Sequence, residues 1–267
     1  MSKKIGFIGA GNMAGAIIKG LIANQFFSPE DISASVSRPE SLSRLESIGI
    51  FGTLSSEEVI KRSDVVVIAV KPHILRAILP ALKPHFSQEH LIISIAAGVT
   101  IDELKGLTGQ DRIVRTMPNT AALVGASMTS LCSNLSRDSE DCRLAESVFN
   151  SVGRTEWIEE RQIHAATAVH GSSPAYVYLF IEAMADAAVL GGIPRAQAYK
   201  MAAQTLYGAS KLMLETELHP GVLKDQVTSP GGTTIEALAV LEAKGFRSAV
   251  IEAMRACIDK SEALSKQ

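Results

Sequence analysis

Residues 3–15, KKIGFIGAGNMAG, constrain this chain more than any other stretch. A short apolar run at residues 5–8 has the composition of a β-strand, and it stops on Gly9-Ala10-Gly11. An apolar pattern with helical spacing follows at once: Met13, Ala14, Ile17, Ile18, Leu21 and Ile22. A strand that ends on G-x-G and restarts as a helix has the sequence of the first unit of a dinucleotide-binding sheet. Gly9 permits the tight turn. Gly11, lacking Cβ, lets the backbone approach a pyrophosphate. The helix N-terminus, at Asn12 and Met13, then offers free N–H groups and the positive end of a dipole. Ala14 replaces the third glycine and is small enough for helix–strand packing. A bare G-x-G-x-x-A could equally be a turn in some other βα unit; the flanking strand and helix weigh against that reading.

The same alternation continues. Strands are expected at residues 32–36, 50–53, 64–70, 91–95, 113–117, 124–131 and 155–158. The run DVVVIAV (residues 64–70) is continuously apolar, as in a central parallel strand buried on both faces. Helices are expected over 39–48, ended by Gly49, from a Ser56 cap, and within 136–152 from a Ser136 or Asp138 cap. Beyond about residue 163 strand signals vanish. Alanine-rich helices are expected from Ser173-Pro174 to Gly191-Gly192, over 195–217, over 234–244 and over 246–266. The fold class predicted is α/β: an N-terminal Rossmann-type doubly wound sheet over residues 1–162, then an all-α domain over 163–267. Many small residues in the helical part (Ala183, Ala187, Ala202, Gly208) suit close helix approach, either in a compact bundle or at a subunit interface. A region this apolar favours the dimer.

Composition excludes several classes. A net charge of −2 gives no electrostatic reason to expect nucleic acid or an anionic membrane surface. Residues 175–190 are strongly apolar but carry Glu182 and Asp186 and fall short of a bilayer span, so a buried helix is expected there. The N-terminal MSKK lacks the pattern of a secretory signal, and Cys132, Cys142 and Cys257 are an odd, widely spaced set. Both point to a cytoplasmic protein with reduced thiols. The six histidines are scattered, and no metal site is expected.

The dinucleotide itself leaves a trace. An NAD site usually ends its second strand on a carboxylate that binds the ribose hydroxyls. Asp31 precedes that strand instead of ending it, and the strand runs out into Ser37-Arg38. A hydroxyl and a guanidinium suit a 2′-phosphate, so NADPH is the expected cofactor, with NADH as the second choice. Loops after parallel strands face the ligand crevice. Ala69, Val70, Lys71 and Pro72 follow one such strand, Ala96, Ala97 and Gly98 another, and Asn119 a third. All are candidate cofactor contacts, although Lys71 could simply end its strand and Asn119 could bond within its own loop.

Five further segments carry a family resemblance: AVKPH (69–73), SIAAGVTI (94–101), RTMPNT (115–120), GSSPAYVYLFIEAMADAAVLGGIPR (171–195) and LKDQVTSPGGTTIEAL (223–238). Together they closely resemble the pyrroline-5-carboxylate reductases, in order and over essentially the whole chain. The resemblance implies NADPH-linked reduction of the cyclic imine 1-pyrroline-5-carboxylate to L-proline, the final step of proline biosynthesis. It also implies a homodimer built through the C-terminal helices and further assembly into a decamer of five dimers. Three positions depart from common versions of the pattern: Ala121 for proline, Ser173 for glycine, and Ser56 for an asparagine near the cofactor ribose.

Read on its own, SPGGTT (229–234) is either a glycine-rich helix start or a carboxylate cradle made of backbone N–H groups and two hydroxyls. The resemblance implies the cradle. It places substrate on Gly231, Gly232, Thr233 and Thr234, with the Thr234 hydroxyl near the imine nitrogen as the catalytic candidate. Glu160, in the acidic turn at the domain boundary, is a weaker substrate-binding candidate. A β-hydroxyacid dehydrogenase, the nearest competing enzyme class, needs a catalytic lysine on the first interdomain helix, and residues 163–197 contain none. A non-catalytic NADP-binding regulator would keep Gly9 and Gly11 but would have no use for the cradle.

Overall fold

Short apolar runs bounded by polar turns become the centre of a sheet. The structure, a computed structural model, describes residues 3–265. Its first part runs β1 (Ile5–Ile8), α1 (Asn12–Ala23), β2 (Ile32–Ser35), α2 (Leu42–Glu46), β3 (Phe51–Thr53), α3 (Ser56–Lys61) and β4 (Val65–Ile68). It continues with α4 (Pro72–Leu82), β5 (Leu91–Ser94), α5 (Ile101–Thr108), β6 (Ile113–Met117), β7 (Ser127–Ser133), α6 (Glu140–Asn150), β8 (Gly153–Trp157) and α7 (Ile163–Ala166). The strands form one sheet in the order β3-β2-β1-β4-β5-β6-β7-β8. All neighbours are parallel except β6 and β7. The chain reverses direction of travel between β1 and β4, and the crevice at that switch point is where such sheets bind ligands.

Strand periodicity builds two cores at once. Phe7, Val67 and Ile93 point to one face with Ile17, Leu21 and Phe149, whereas Ile8, Ile68 and Ile92 point to the other with Leu75, Leu79 and Leu104. All are fully buried. A strand buried on both faces cannot alternate in polarity, which is why β1, β4 and β5 read as unbroken apolar runs.

Local chemistry shifts several expected boundaries. Ser55, not Ser56, caps α3 by accepting the Glu58 N–H, and Ser139 caps α6 through Cys142 N–H. The expected helix over 39–48 is a 3₁₀ turn, Pro39–Ser41, followed by the five-residue α2. The expected strand at 124–131 begins later, because Thr120–Val124 forms a 3₁₀ turn that ends on Gly125 at φ +70°. Helices α4 and α5 fill crossovers that the sequence pattern does not locate.

The second part comprises α8 (Pro174–Leu190), α9 (Arg195–Thr216), α10 (Pro220–Gln226), α11 (Thr233–Ala243) and α12 (Phe246–Ser265). Ser173 is itself helical (φ −65°, ψ −16°), so α8 is not started by a serine cap there. Contacts divide the chain into a unit ending at Gly171, which also takes in the segment from Ile258 onward, and a unit Ser172–Cys257. This differs from the expected division after residue 162. The π-helix Thr167–Ser172 continues α7 and is tied to the sheet unit, with His170 Nε2 and Ser130 Oγ 2.8 Å apart. The end of α12 joins the same unit through His164 Nδ1 and Ser261 Oγ, 2.9 Å apart.

Within the second unit, α8 and α9 pack through alanines: Ala185, Ala198 and Ala202 are their buried residues. The expectation that residues 175–190 form a buried helix is corrected. Tyr178 and Leu179 on α8 are 63% and 67% exposed, and the continuous helical stretch Glu160–Leu190 is long and apolar enough to cross a membrane.

Candidate functional site

The crevice is assembled from strand ends. Gly9 leaves β1 at φ +94°, a left-handed conformation that favours glycine. A Cβ on Gly9 would lie 2.6 Å from Val70 Cγ1 and 3.0 Å from the Ala69 carbonyl, so glycine lets the loop after β1 close against the loop after β4. Gly11 serves a different purpose. A Cβ there would meet no atom within 4 Å. It is the N-cap of α1, so no cap side chain competes for the N–H groups of the first turn at Asn12 and Met13. Open space above uncommitted donors at a positive helix end fits a pyrophosphate.

Two hydroxyls hold the neighbouring wall. The Gly9 N–H donates to Ser35 Oγ at 3.4 Å, and Ser35 Oγ lies 3.0 Å from Ser56 Oγ. Ser56 therefore turns toward the end of β2. Ser37 and Arg38 follow β2 and are exposed, with Arg38 extended ahead of the Pro39–Ser41 turn. Lys71 is the exposed N-cap of α4, with Pro72 as its first residue. After β5, Ala96 is buried, Ala97 is exposed and Gly98 turns at φ +74°.

Two expected contacts have other duties. The Asn119 amide donates to the His170 carbonyl at 2.9 Å while its oxygen accepts the Ala121 N–H at 3.2 Å. It organises its own turn against the π-helix. Glu160 Oε1 accepts from the Ile101 N–H at 2.8 Å and from Arg115 Nη1 at 2.7 Å. Through these bonds the Glu160 carboxylate joins β6 to the start of α5.

Arg115 is the functional group that sequence reasoning missed. Its side chain is only 4% exposed inside the buried strand β6, and a charge there must be paired. An arginine in the middle of IVRTM was the available signal. Behind it, burial pushes the Cys132 thiol up to about 12, so this cysteine is an inert core group. His170 was also passed over. It is 8% exposed, burial holds its imidazole below the ordinary value, and its Nδ1 has no partner among the described residues. A π-turn in a helix often accompanies a site.

In the helical unit, Gly231 turns at φ +66° and Gly232 caps α11 in extended conformation (φ −81°, ψ 172°). A Cβ on Gly231 would meet nothing within 4 Å, but one on Gly232 would lie 2.4 Å from Ser229 Oγ. Gly231 is favoured by the turn, whose φ is left-handed, and borders open space, whereas Gly232 has ordinary extended backbone and is crowded chiefly by the Ser229 hydroxyl. Thr233 is exposed and Thr234 half-buried in the first turn of α11, again with no cap side chain. This is an N–H-rich helix start of a kind that holds a carboxylate.

A cleft of about 790 Å³ lies at the other end of the sheet, against Lys4, Val65 and Leu91 at the strand starts. Its cations are engaged locally, Lys3 with Glu140 and Arg112 with Asp141, so size does not mark the site here.

Comparison with known proteins agrees with this geometry. Residues 4–98 match the family described as NADP oxidoreductase, coenzyme F420-dependent, and residues 160–264 match pyrroline-5-carboxylate reductase dimerisation. The chain is similar to the pyrroline-5-carboxylate reductase of Escherichia coli K12, 53% identical with all of both chains covered. Among solved structures it resembles the pyrroline-5-carboxylate reductase of Coxiella burnetii (TM-score 0.94, 38% identity, all of both chains). It also resembles the Plasmodium falciparum pyrroline carboxylate reductase with NADP bound (TM-score 0.86, 34% identity, 99% of this chain and 98% of that one). The match at 160–264 also accounts for the exposed apolar side chains of α8: they belong to a dimerisation domain. A glycine crevice that fits a dinucleotide, a glycine-capped helix start and likeness along the full length converge: the chain belongs to the pyrroline-5-carboxylate reductase family.

Proposed function

We propose that this protein reduces 1-pyrroline-5-carboxylate to L-proline with NADPH, the last step of proline biosynthesis, with NADH as a slower substitute. The observation that carries the reading is full-length similarity at 53% identity, with the glycine crevice intact. NADPH, when bound, supplies the hydride that reduces the C=N bond. Gly9, Ala10, Gly11, Asn12 and Met13 hold its pyrophosphate, Ser37 and Arg38 take the 2′-phosphate, and residues 69–72 and 96–98 line the nicotinamide side.

The Gly231–Thr234 backbone binds the substrate carboxylate, and no arginine is needed within that segment. Anchored there, the ring presents its nitrogen to the Thr234 hydroxyl. A protonated imine is already electrophilic, so the protein's main tasks are orientation and exclusion of water. Thr234 donates or relays a hydrogen bond at the nitrogen as it becomes the amine, without acting as a strong acid. Glu160 and Asn119, the weaker contact candidates, also hold their own loops through hydrogen bonds within the fold.

The dimerisation domain supports a homodimer, and the family resemblance extends this to five dimers in a decamer. A cytoplasmic location is in keeping with three free cysteines. The test follows NADPH absorbance with pyrroline-5-carboxylate beside a panel of oxo acids, the oxidised partners of hydroxy acids, and identifies proline as product. Oxidation of NADPH by an oxo acid but not by the imine would overturn the reading.

A further inference from the structure

We propose that Arg44 is a second reader of the cofactor 2′-phosphate, acting beside Arg38. The inference rests on the NADPH reading above and adds a residue outside the glycine loop and the β2 terminus. Helix α2 is short, but its place is set: Leu45 is 2% exposed and packs over Gly52, where a Cβ would lie 3.2 Å from Leu45 Cβ. From this anchored turn the Arg44 side chain crosses to the glycine loop, where Nη2 donates to the Ala10 carbonyl.

That contact uses one of five guanidinium donors. Among the described residues no carboxylate is paired with Arg44. Ala10 lies just ahead of α1, which starts at Asn12. An unneutralised cation beside the positive end of a helix is unfavourable, and an anion between the two reverses the sign. An anion bound on this side of the loop would meet both the guanidinium and the helix end.

The position selects which phosphate. The pyrophosphate belongs on the first turn of α1 itself. Arg44 approaches from the β2 side, beyond the Pro39–Ser41 turn that begins immediately after Arg38. Strands β1 and β2 are paired, with Ile8 opposite Ser35, so the two loops leave the sheet side by side. Arg38 from one loop and Arg44 fastened to the other flank the place where an adenosine ribose lies.

The test measures dissociation constants for NADPH and NADH, by fluorescence of the bound nicotinamide, on full-length wild type, Arg44→Ala, Arg44→Lys and Arg38→Ala. Arg44 is exposed, so the fold should survive its loss. Arg44→Ala should weaken NADPH roughly tenfold, the scale of one charged hydrogen bond, and NADH less than about twofold. Arg44→Lys should recover part of the NADPH affinity. Equal weakening of both cofactors would assign Arg44 to the pyrophosphate or to loop support and overturn the proposal. Selective loss in Arg38→Ala but not Arg44→Ala would overturn it while leaving the NADPH reading intact. Selective loss in neither would defeat both.

Discussion

Replacing Glu160 by alanine separates a structural clamp from a substrate contact. Glu160 Oε1 takes two hydrogen bonds, from Arg115 Nη1 and the Ile101 N–H. Removing it strands a guanidinium that is 4% exposed, while the lost carboxylate was itself one-third exposed (33%). Breaking a fully buried pair costs about 3–5 kcal/mol, chiefly through the charge left behind. Partial solvation of Glu160 lowers the expectation to about 2–3 kcal/mol. For a domain of this size that is a fall of about 4–12 °C in Tm. Thermal unfolding followed by circular dichroism, at fixed protein concentration because subunit association also stabilises, gives the number. Glu160→Gln keeps an acceptor for Ile101 but not the charge, so it should lose about half as much. Combining Glu160→Ala with Arg115→Met removes the stranded charge and should recover part of the loss. A Glu160→Ala protein with wild-type Tm and a raised KM for pyrroline-5-carboxylate would refute the clamp and restore the substrate role.

Three further outcomes are expected. His170 is buried with its pKa lowered by desolvation, so above the free value of 6.5 it is neutral whether folded or unfolded. Below 6.5 the unfolded chain takes the proton first, so stability should decline as the pH falls toward the folded value; His170→Gln should flatten that decline in denaturation series, and an unchanged slope would remove His170 as its source. Gly9→Ala forces a left-handed residue against Val70 and the Ala69 carbonyl; about 1–2 kcal/mol of backbone strain and loss of measurable NADPH fluorescence binding should follow, and wild-type affinity would contradict the crevice. Thr234→Ala should lower kcat about 10- to 100-fold with little change in KM, because a hydrogen bond at the nitrogen is lost while the backbone donors remain; an unchanged single-turnover hydride-transfer rate would take Thr234 out of the chemistry.

The elements that were legible share one property: their signal is local. Residues 5–22 declare a strand, a glycine turn and a helix because backbone freedom at Gly9, space at Gly11 and apolar spacing in α1 are all encoded within one βα unit. The glycine-capped start of α11 was legible for the same reason. Caps were misplaced by one residue at Ser55 and by one or three at Ser139, since nearby polar residues offer the same chemistry and packing chooses among them. Helix α8 read as a core segment because burial by a neighbouring helix and burial by a second subunit leave the same apolar pattern.

Sequence alone determined the mainly parallel sheet, the glycine-led helix starts and the reductase family, since each depends on spacing within a short segment or on motifs carried in order. Tertiary structure decided which charged and polar groups remain available for chemistry. Glu160 lies 45 residues from Arg115 and 59 from Ile101, Asn119 lies 51 from His170, and Arg44 lies 34 from Ala10. No periodicity links such pairs. A carboxylate or guanidinium is committed or free according to what the fold brings within about 3 Å of it, and that distance is set by the packing of the whole sheet.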